Sequence, residues 1–449
     1  MTAPAIKGWC PGALRPMESG DGLIVRLKLT GGIVPVDLAL RIADWAGHFG
    51  NGEIDLTSRA NLQIRGVTDA TLGGLQDAVA EAGLLDDEPD GEAIRNVIAS
   101  PLAGLDPDAL LDICPIVAAL EARLAGDPSL YPLPAKFCFA VEDGGRFSLG
   151  DVRADIRFDA MVGPAFAIRL DGAPNMALGP CRSDEAPDIA ARLARVFLDL
   201  RGDARRMREL VEWVGAAVIA TVAGISVSAS PPPLRGGSAT HSVDGWGVMP
   251  PPSRTHRPSG GNTPHPDLRS DLPLKGGGDA VWVGLPFGRI SSDNLRHLAG
   301  AAAKAGATEL RLTPWRAILV PCPSQERADT LARSLPPHAF ILNPADSRRR
   351  VAACVGAPAC QRATTNIRED ANQLASLVGE TQFLHLSGCA KGCANPRRAS
   401  VTLVGNDGRY DLIRDGAPSD SPVAKGLTLD EAAAYLREMA ANDTQGRQT

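Results

Sequence analysis

Residues 354–360 read C-V-G-A-P-A-C, and residues 387–396 read S-G-C-A-K-G-C-A-N-P. Cys354 and Cys360 are spaced Cys-x5-Cys, and Cys389 and Cys393 are spaced Cys-x3-Cys. Four thiolates from two loops can hold one 4Fe–4S cubane, one sulfur to each iron. Zinc sites more often use tighter knuckles and recruit histidine. Gly356, Ala357, Ala359, Gly388, Ala390 and Gly392 fill the loops with small residues, as a backbone must when it folds closely around a cofactor. Cysteines serving only as core residues have no reason to gather in Gly-flanked pairs at ligand spacing.

Working outward, the segments on either side of the middle of the chain look like two copies of one unit. The first runs G-L-I-V-R-L-K-L (22–29), a helix-like V-D-L-A-L-R-I-A-D-W-A (36–46), then G-E-I-D-L-T-S-R-A-N-L-Q-I-R-G-V (52–67). The second runs A-V-W-V-G-L-P-F-G-R-I (280–290), N-L-R-H-L-A-G-A-A-A-K-A (294–305), then T-E-L-R-L-T-P-W-R-A-I-L-V-P-C (308–322). L-T-S-R-A-N-L-Q-I matches L-T-P-W-R-A-I-L-V, and helices are expected over 69–83 and 325–334. β-branched alternation marks the strands, Ala/Leu-rich runs mark the helices, and the repeat implies a pseudo-two-fold core. A second kind of segment follows each copy. After the second copy it carries the four cysteines, with a helix expected over 364–378, strands over 382–388, 399–406 and 410–413, and a closing helix.

The stretch from about Ser226 to Asp279 breaks this pattern. Pro, Gly and Ser dominate it, so a linker or insertion is expected. His241, His256 and His265 fall within it at irregular spacing, which suits solvated linker better than a metal tract. The 449 residues allow two or three domains, and 44% apolar with 22% charged composition is that of a soluble globular protein. No apolar run reaches membrane-spanning length, and the N-terminus lacks a signal-peptide core. Nine cysteines without a dense disulfide pattern fit a reducing cytoplasm. A net charge of −6 gives no global reason to expect nucleic acid, so any anionic ligand must meet a local basic patch.

The cysteine spacing, the doubled L-T-x-R-x-N-L-Q unit, Arg95-Asn96-Val97 and Leu133-Pro-Ala-Lys136-Phe137 resemble the sulfite/nitrite reductase superfamily. The opening K-G-W-C-P-G-A-L-R-P-M-E-S-G-D-G-L and R-N-V-I-A-S-P-L-A-G-L-D-P resemble its branch that hydroxylates a tetrapyrrole in aerobic cobalamin biosynthesis. The resemblance implies an α+β, pseudo-two-fold fold. It has ferredoxin-like half-domains at 1–85 and 280–342, a reductase-type domain without cluster cysteines at 86–225, the linker at 226–279 and a 4Fe–4S domain at 343–449. It further implies a precorrin-3A-like tetrapyrrole as substrate, a non-haem iron, NADH as ultimate electron donor and a separate reductase that delivers the electrons. The alternative is a siroheme-dependent sulfite or nitrite reductase. Arg59, Arg65, Arg95, Lys136 and Arg397 are the expected contacts to substrate carboxylates, since Arg forks and Lys ammoniums suit a polycarboxylate. Arg362 and Arg398 also lie beside the cluster loops.

One departure stands out. The reductases commonly read K-F-K where this chain has Lys136-Phe137-Cys138. The missing lysine is one of the cations that hold the inorganic anion. Cys138 is expected to be a buried strand residue. Cys393 takes the position that bridges cluster and siroheme iron in the reductases. No histidine set for the non-haem iron is evident among His48, His297, His338 and His385, and no G-x-G-x-x-G follows a strand.

Overall fold

The computed structural model describes residues 10–228, 274, 277–395 and 397–445. His241, His256, His265 and nearly all of the expected linker lie outside the described residues.

The two repeated units do form the expected strand–helix–strand–strand pattern, but they do not stand apart. In the first sheet the order is Met17–Ser19, Gly22–Leu27, Leu62–Val67, Glu53–Leu56, and then Arg289–Ser291 from the second unit. In the second sheet it is Asp279–Gly284, Ala317–Cys322, Glu309–Leu312, and then Ile33–Pro35 from the first unit. Each unit therefore lends its partner a three-residue strand. The registers pair Ile290 with Ile54 and Val34 with Leu310. The backbone bonds that follow are also matched: Val36 N–H donates to Thr308 O at 3.0 Å, and Ser292 N–H to Gly52 O at 2.7 Å.

Helices Val36–Phe49 and Ser292–Lys304 start directly after the lent strands. Their apolar residues recur at helical spacing (Val36, Ala39, Ile42, Ala43, Ala46; Leu295, Leu298, Ala299, Ala302), so each buries one stripe. Ser291 caps the second helix by accepting from Asn294 N–H at 3.2 Å. The small alanines let the two helices lie side by side, and both sheets close over one common apolar core.

The other two sheets share a topology with each other. Val97–Ala99, Phe139–Glu142 and Ile156–Ala160 run parallel, continued antiparallel by Ala165–Leu170, Ala177–Arg182 and Val227–Ser228. Val351–Ala353, Leu384–Ser387 and Ala399–Asn406 run parallel, continued antiparallel by Arg409–Gly416 and Ala424–Leu427. Helix Ile367–Ala375 links the two cysteine loops, and Leu429–Gln445 closes the chain. No helix among the described residues is long and apolar enough to cross a membrane.

Candidate functional site

Registration of the two parallel sheets locates the cysteines. Val97 pairs with Phe139 as Val351 pairs with Leu384, so Ser100 stands where Cys354 stands in the other copy. The backbone agrees: Ser100 N–H donates to Val141 O and Cys354 N–H to Leu386 O, both at 3.2 Å. The side chains agree as well. Gly388 N–H donates to Cys354 Sγ at 3.1 Å, while Asp143 N–H donates to Ser100 Oγ at 3.0 Å. One half thus presents a thiol where the other presents a hydroxyl, and an N–H aimed at sulfur stabilises a thiolate ligand.

Cys354, Cys360 and Cys389 are half-buried and Cys393 is exposed. Burial pushes the Cys354 thiol up, two backbone N–H groups from Gly388 and Gly356 oppose it, and the charges of Cys393 and Cys360 add to it. Burial also raises Cys393, with Cys389 and Cys360 adding and Lys391 and Lys136 opposing. The four thiols therefore share one neighbourhood. No three Cys, His, Asp or Glu among the described residues meet closely enough to share a single ion. A cubane spreads its four ligands over four corners, so these residues fit a 4Fe–4S cluster. They do not fit a mononuclear non-haem iron. His48, His297 and His338 are exposed on separate elements, and His385 is 0% exposed with neither ring nitrogen partnered among the described residues.

The Cys354–Cys360 loop is clamped from the opposite end of the chain. Ala359 O accepts from Gly20 N–H at 3.1 Å, Ser19 Oγ at 2.6 Å and Arg65 Nη2 at 3.1 Å. A Cβ on Gly20 would lie 2.2 Å from Pro358 O, so only glycine permits this approach. Gly356 takes φ +72° where a Cβ would lie 2.7 Å from Ile367 N.

Beside this centre lies a cavity of about 390 Å³, lined by Cys10, Arg26, Thr57, Ser58, Arg59, Lys136, Asp151, Val152, Arg153, Arg206, Pro314, Trp315, Cys393, Asn395 and Arg397. Both matched turns of the repeat contribute to its lining. Arg59 and Trp315 occupy equivalent positions, and the residues after them, Ala60 and Arg316, both take positive φ (54° and 59°). Trp315 packs with Phe147 and Trp282 and donates Nε1–H to Asp151 at 3.2 Å. Arg206 forms a two-point fork with Asp155, both bonds at 2.9 Å. Arg26, Arg59, Lys136, Arg153 and Arg397 have no carboxylate in ion-pair range among the described residues, leaving the wall strongly positive. Arg59 Nη2 instead donates to Lys136 O at 2.8 Å. Burial, then Arg208 and Arg397, lowers Arg153, and burial lowers Arg26. Both remain cations at neutral pH. Lys136 is the hinge between the two features, since it lines the cavity and its charge is felt at Cys393.

Of the expected contacts, Arg59, Lys136 and Arg397 line the cavity, whereas Arg65 and Arg95 do not. Arg65 is 2% exposed and committed to Asp21 (2.7 Å), Asp55 (3.2 Å) and Ala359. Arg95 binds Asp86 at 2.7 Å and Glu121 at 2.9 Å. Both are held by carboxylates of their own chain. Arg398 turns to Asp420, and Arg362 is exposed. Cys138 is fully buried just ahead of the strand Phe139–Glu142, and burial pushes its thiol up. Arg26, Arg153, Arg206, Trp315 and Asn395 escaped sequence reasoning. Only Trp315 had left a signal, through its alignment with Arg59.

Comparison with known proteins follows the same lines. The model of the nitrite/sulfite reductase ferredoxin-like half domain matches residues 15–82 and 273–336. That of the nitrite and sulphite reductase 4Fe-4S domain matches residues 90–165, the copy that carries Ser100 rather than the cysteines. A precorrin-3B synthase of Sinorhizobium sp is 31% identical over 93% of this chain and 85% of its own. A ferredoxin–nitrite reductase of Synechococcus elongatus is 26% identical over 88% of this chain and 78% of its own. The solved structure of the Mycobacterium tuberculosis NirA protein superposes with a TM-score of 0.69 at 22% identity, over 94% of this chain and 80% of that one.

Proposed function

The chain belongs to the nitrite and sulfite reductase family, and we propose that within it this protein is a precorrin-3B synthase. It hydroxylates carbon 20 of precorrin-3A with dioxygen and closes a γ-lactone with the ring-A acetate, as in aerobic cobalamin biosynthesis. The observation that carries this reading is the cavity wall. Five cations without carboxylate partners among the described residues surround a space that also touches Cys393. A polycarboxylate macrocycle supplies the missing anions, and guanidinium forks pair with carboxylates directionally. The relative of 31% identity and the replacement of the second reductase lysine by Cys138 support the same choice.

Arg26, Arg59, Arg153 and Arg397 orient the substrate through its carboxylates, and Lys136 holds its edge towards Cys393. Trp315 offers an apolar wall, and the Asp151 carboxylate fixes its indole. Cys354, Cys360, Cys389 and Cys393 would hold the 4Fe–4S cluster, which when bound supplies electrons one at a time. The reaction takes one oxygen atom into the substrate and reduces the other to water with two electrons and two protons. NADH is the ultimate donor, through a separate reductase. Stoichiometric NADH oxidation by the purified chain alone would overturn that partner. No step is assigned to a non-haem iron, since the described residues offer no ligand set for one.

Incubation with precorrin-3A, dioxygen and a reductant should raise the substrate mass by one oxygen atom; unchanged mass would refute the assignment. A second reading, a siroheme-dependent sulfite or nitrite reductase, is favoured by the reductase relatives. It requires intense long-wavelength siroheme bands in the isolated protein, whereas the first reading requires broad cluster absorption alone. Cys360→Ser or Cys389→Ser should abolish that absorption together with activity.

A further inference from the structure

The two copies of the repeated turn differ at their residue of positive φ. The first has Ala60 there and the second Arg316, at 54° and 59°. An alanine suffices for that backbone, so the guanidinium serves something else, and Arg316 does not line the cavity. Its stem runs over Gly288, where a Cβ would lie 2.8 Å from Arg316 Cδ and 3.0 Å from Cγ. Nη2–H donates at 3.2 Å to Ala394 O, the residue after Cys393. The charge is felt at Cys354, in the other cysteine loop, and at His385, in the strand that delivers Cys389. Arg316 therefore sits against both cysteine loops. Asp55 is the carboxylate whose charge reaches it, but Asp55 is already bound by Arg65 at 3.2 Å, Arg289 at 2.8 Å and Arg368 at 2.9 Å. No carboxylate among the described residues lies in ion-pair range of Arg316. Burial, then Arg368, lowers it to about 10, with Asp55 and Cys354 opposing, so it is a cation at neutral pH.

Four thiolate ligands make a 4Fe–4S cluster a net anion, and each electron it accepts adds to that charge. A cation beside it favours the reduced form, since net charge and burial are among the terms that set a cluster's potential. Lys136 and Lys391 also face Cys393, but both are exposed, and exposed charges are screened by water and salt. Arg316, half-buried between its turn and the loops, is screened less. We propose that Arg316 raises the reduction potential of the cluster held by the four cysteines, and so eases the transfer of one electron to it from the donor protein. The proposal rests on the cluster assignment above and is independent of which tetrapyrrole or which reaction the cavity serves.

The test uses the full chain with its cluster reconstituted from ferrous iron and sulfide. It is titrated anaerobically with dithionite and redox mediators, and followed by cluster absorbance and by the paramagnetic signal of the reduced form. Arg316→Gln removes the charge and keeps an amide donor; Arg316→Lys keeps the charge. At a fixed potential the ratio of reduced to oxidised cluster should fall about ten-fold in Arg316→Gln, as expected for one charge lost in a protein interior. For one electron that is a shift of about 59 mV to more negative potential. Arg316→Lys should stay near wild type. An unchanged potential in Arg316→Gln would overturn the proposal while leaving the cluster assignment intact. An equal shift in both variants would overturn it too, because shape and not charge would then be responsible. Loss of the cluster from both would make Arg316 a loop-forming residue and overturn it equally. Loss from Arg316→Gln alone would support it, since only the variant that keeps the charge then holds the anionic cluster. A wild-type chain that takes up no cluster would remove the cluster assignment and this proposal with it.

Discussion

Arg59 and Trp315 show how a duplicated turn acquires two uses. The backbone is the same in both copies, down to the positive φ of the following residue, yet one copy presents a guanidinium to the cavity and the other an indole. Arg59→Ala should weaken binding of a polycarboxylate porphyrin about ten-fold by fluorescence titration, with little change in the denaturation midpoint, because its one described side-chain bond is to a backbone carbonyl. Trp315→Ala should instead cost about 3–5 kcal/mol of stability, since the ring is 2% exposed among Phe147 and Trp282. His385 gives a pH signature. Burial, then Arg316, lowers it to about 4 from an ordinary value of 6.5. The unfolded chain binds the extra proton between those values, so its contribution to stability is lost as pH falls from about 6.5 towards 4. His385→Gln should flatten this part of the pH–Tm profile relative to wild type; parallel profiles would exclude the effect. Which side chains were legible follows from where they sit. Arg59, Lys136 and Arg397 belong to turns and loops that the motifs themselves marked. Arg26 and Arg153 reach the cavity only through packing between distant segments, which no local pattern encodes.

Among the elements, the hairpin around Ser19-Gly20 and the strand Leu62–Val67 hold the cluster loop in place. Three donors on one carbonyl fix Ala359, the residue before Cys360. Gly20→Ala should displace Pro358 and diminish cluster absorbance, measured against protein concentration. Arg65 also neutralises Asp21 and Asp55. Burial raises Asp55, but Arg368, Arg289 and Arg65 outweigh it and hold that carboxyl well below the usual range. Arg65→Met would leave Asp21 without its described ion pair while Asp55 keeps Arg289 and Arg368, and should cost about 1–3 kcal/mol in chemical denaturation. Arg65 and Arg95 read as ligand contacts in the sequence because they lie within the motifs. Their partners at 21, 55, 86 and 121 lie 9 to 44 residues away, and only the folded chain brings those carboxylates to them. The elements were far more legible: helix 325–334 and strand 399–406 fall where hydrophobic periodicity put them.

At the level of the whole molecule, the repeat was visible but the exchange of strands was not. A three-residue strand carries too little pattern to declare its partner, and both lent strands are followed by ordinary amphipathic helices. Exchange makes the halves inseparable without unfolding. A protease site inserted within 229–273 and cut in the native protein should leave two fragments that co-elute in size exclusion and part only in denaturant. Separate native peaks would refute this. Exchange also has a consequence for the chain as it is made. The strand Glu53–Leu56 lacks its outer neighbour until Arg289–Ser291 has been synthesised, and Ile33–Pro35 waits for Glu309–Leu312. At ribosomal rates of about 5–20 residues per second, the N-terminal sheet stays incomplete for on the order of tens of seconds. The four-cysteine site, to which we assign the cluster, is made after the strands that complete both sheets.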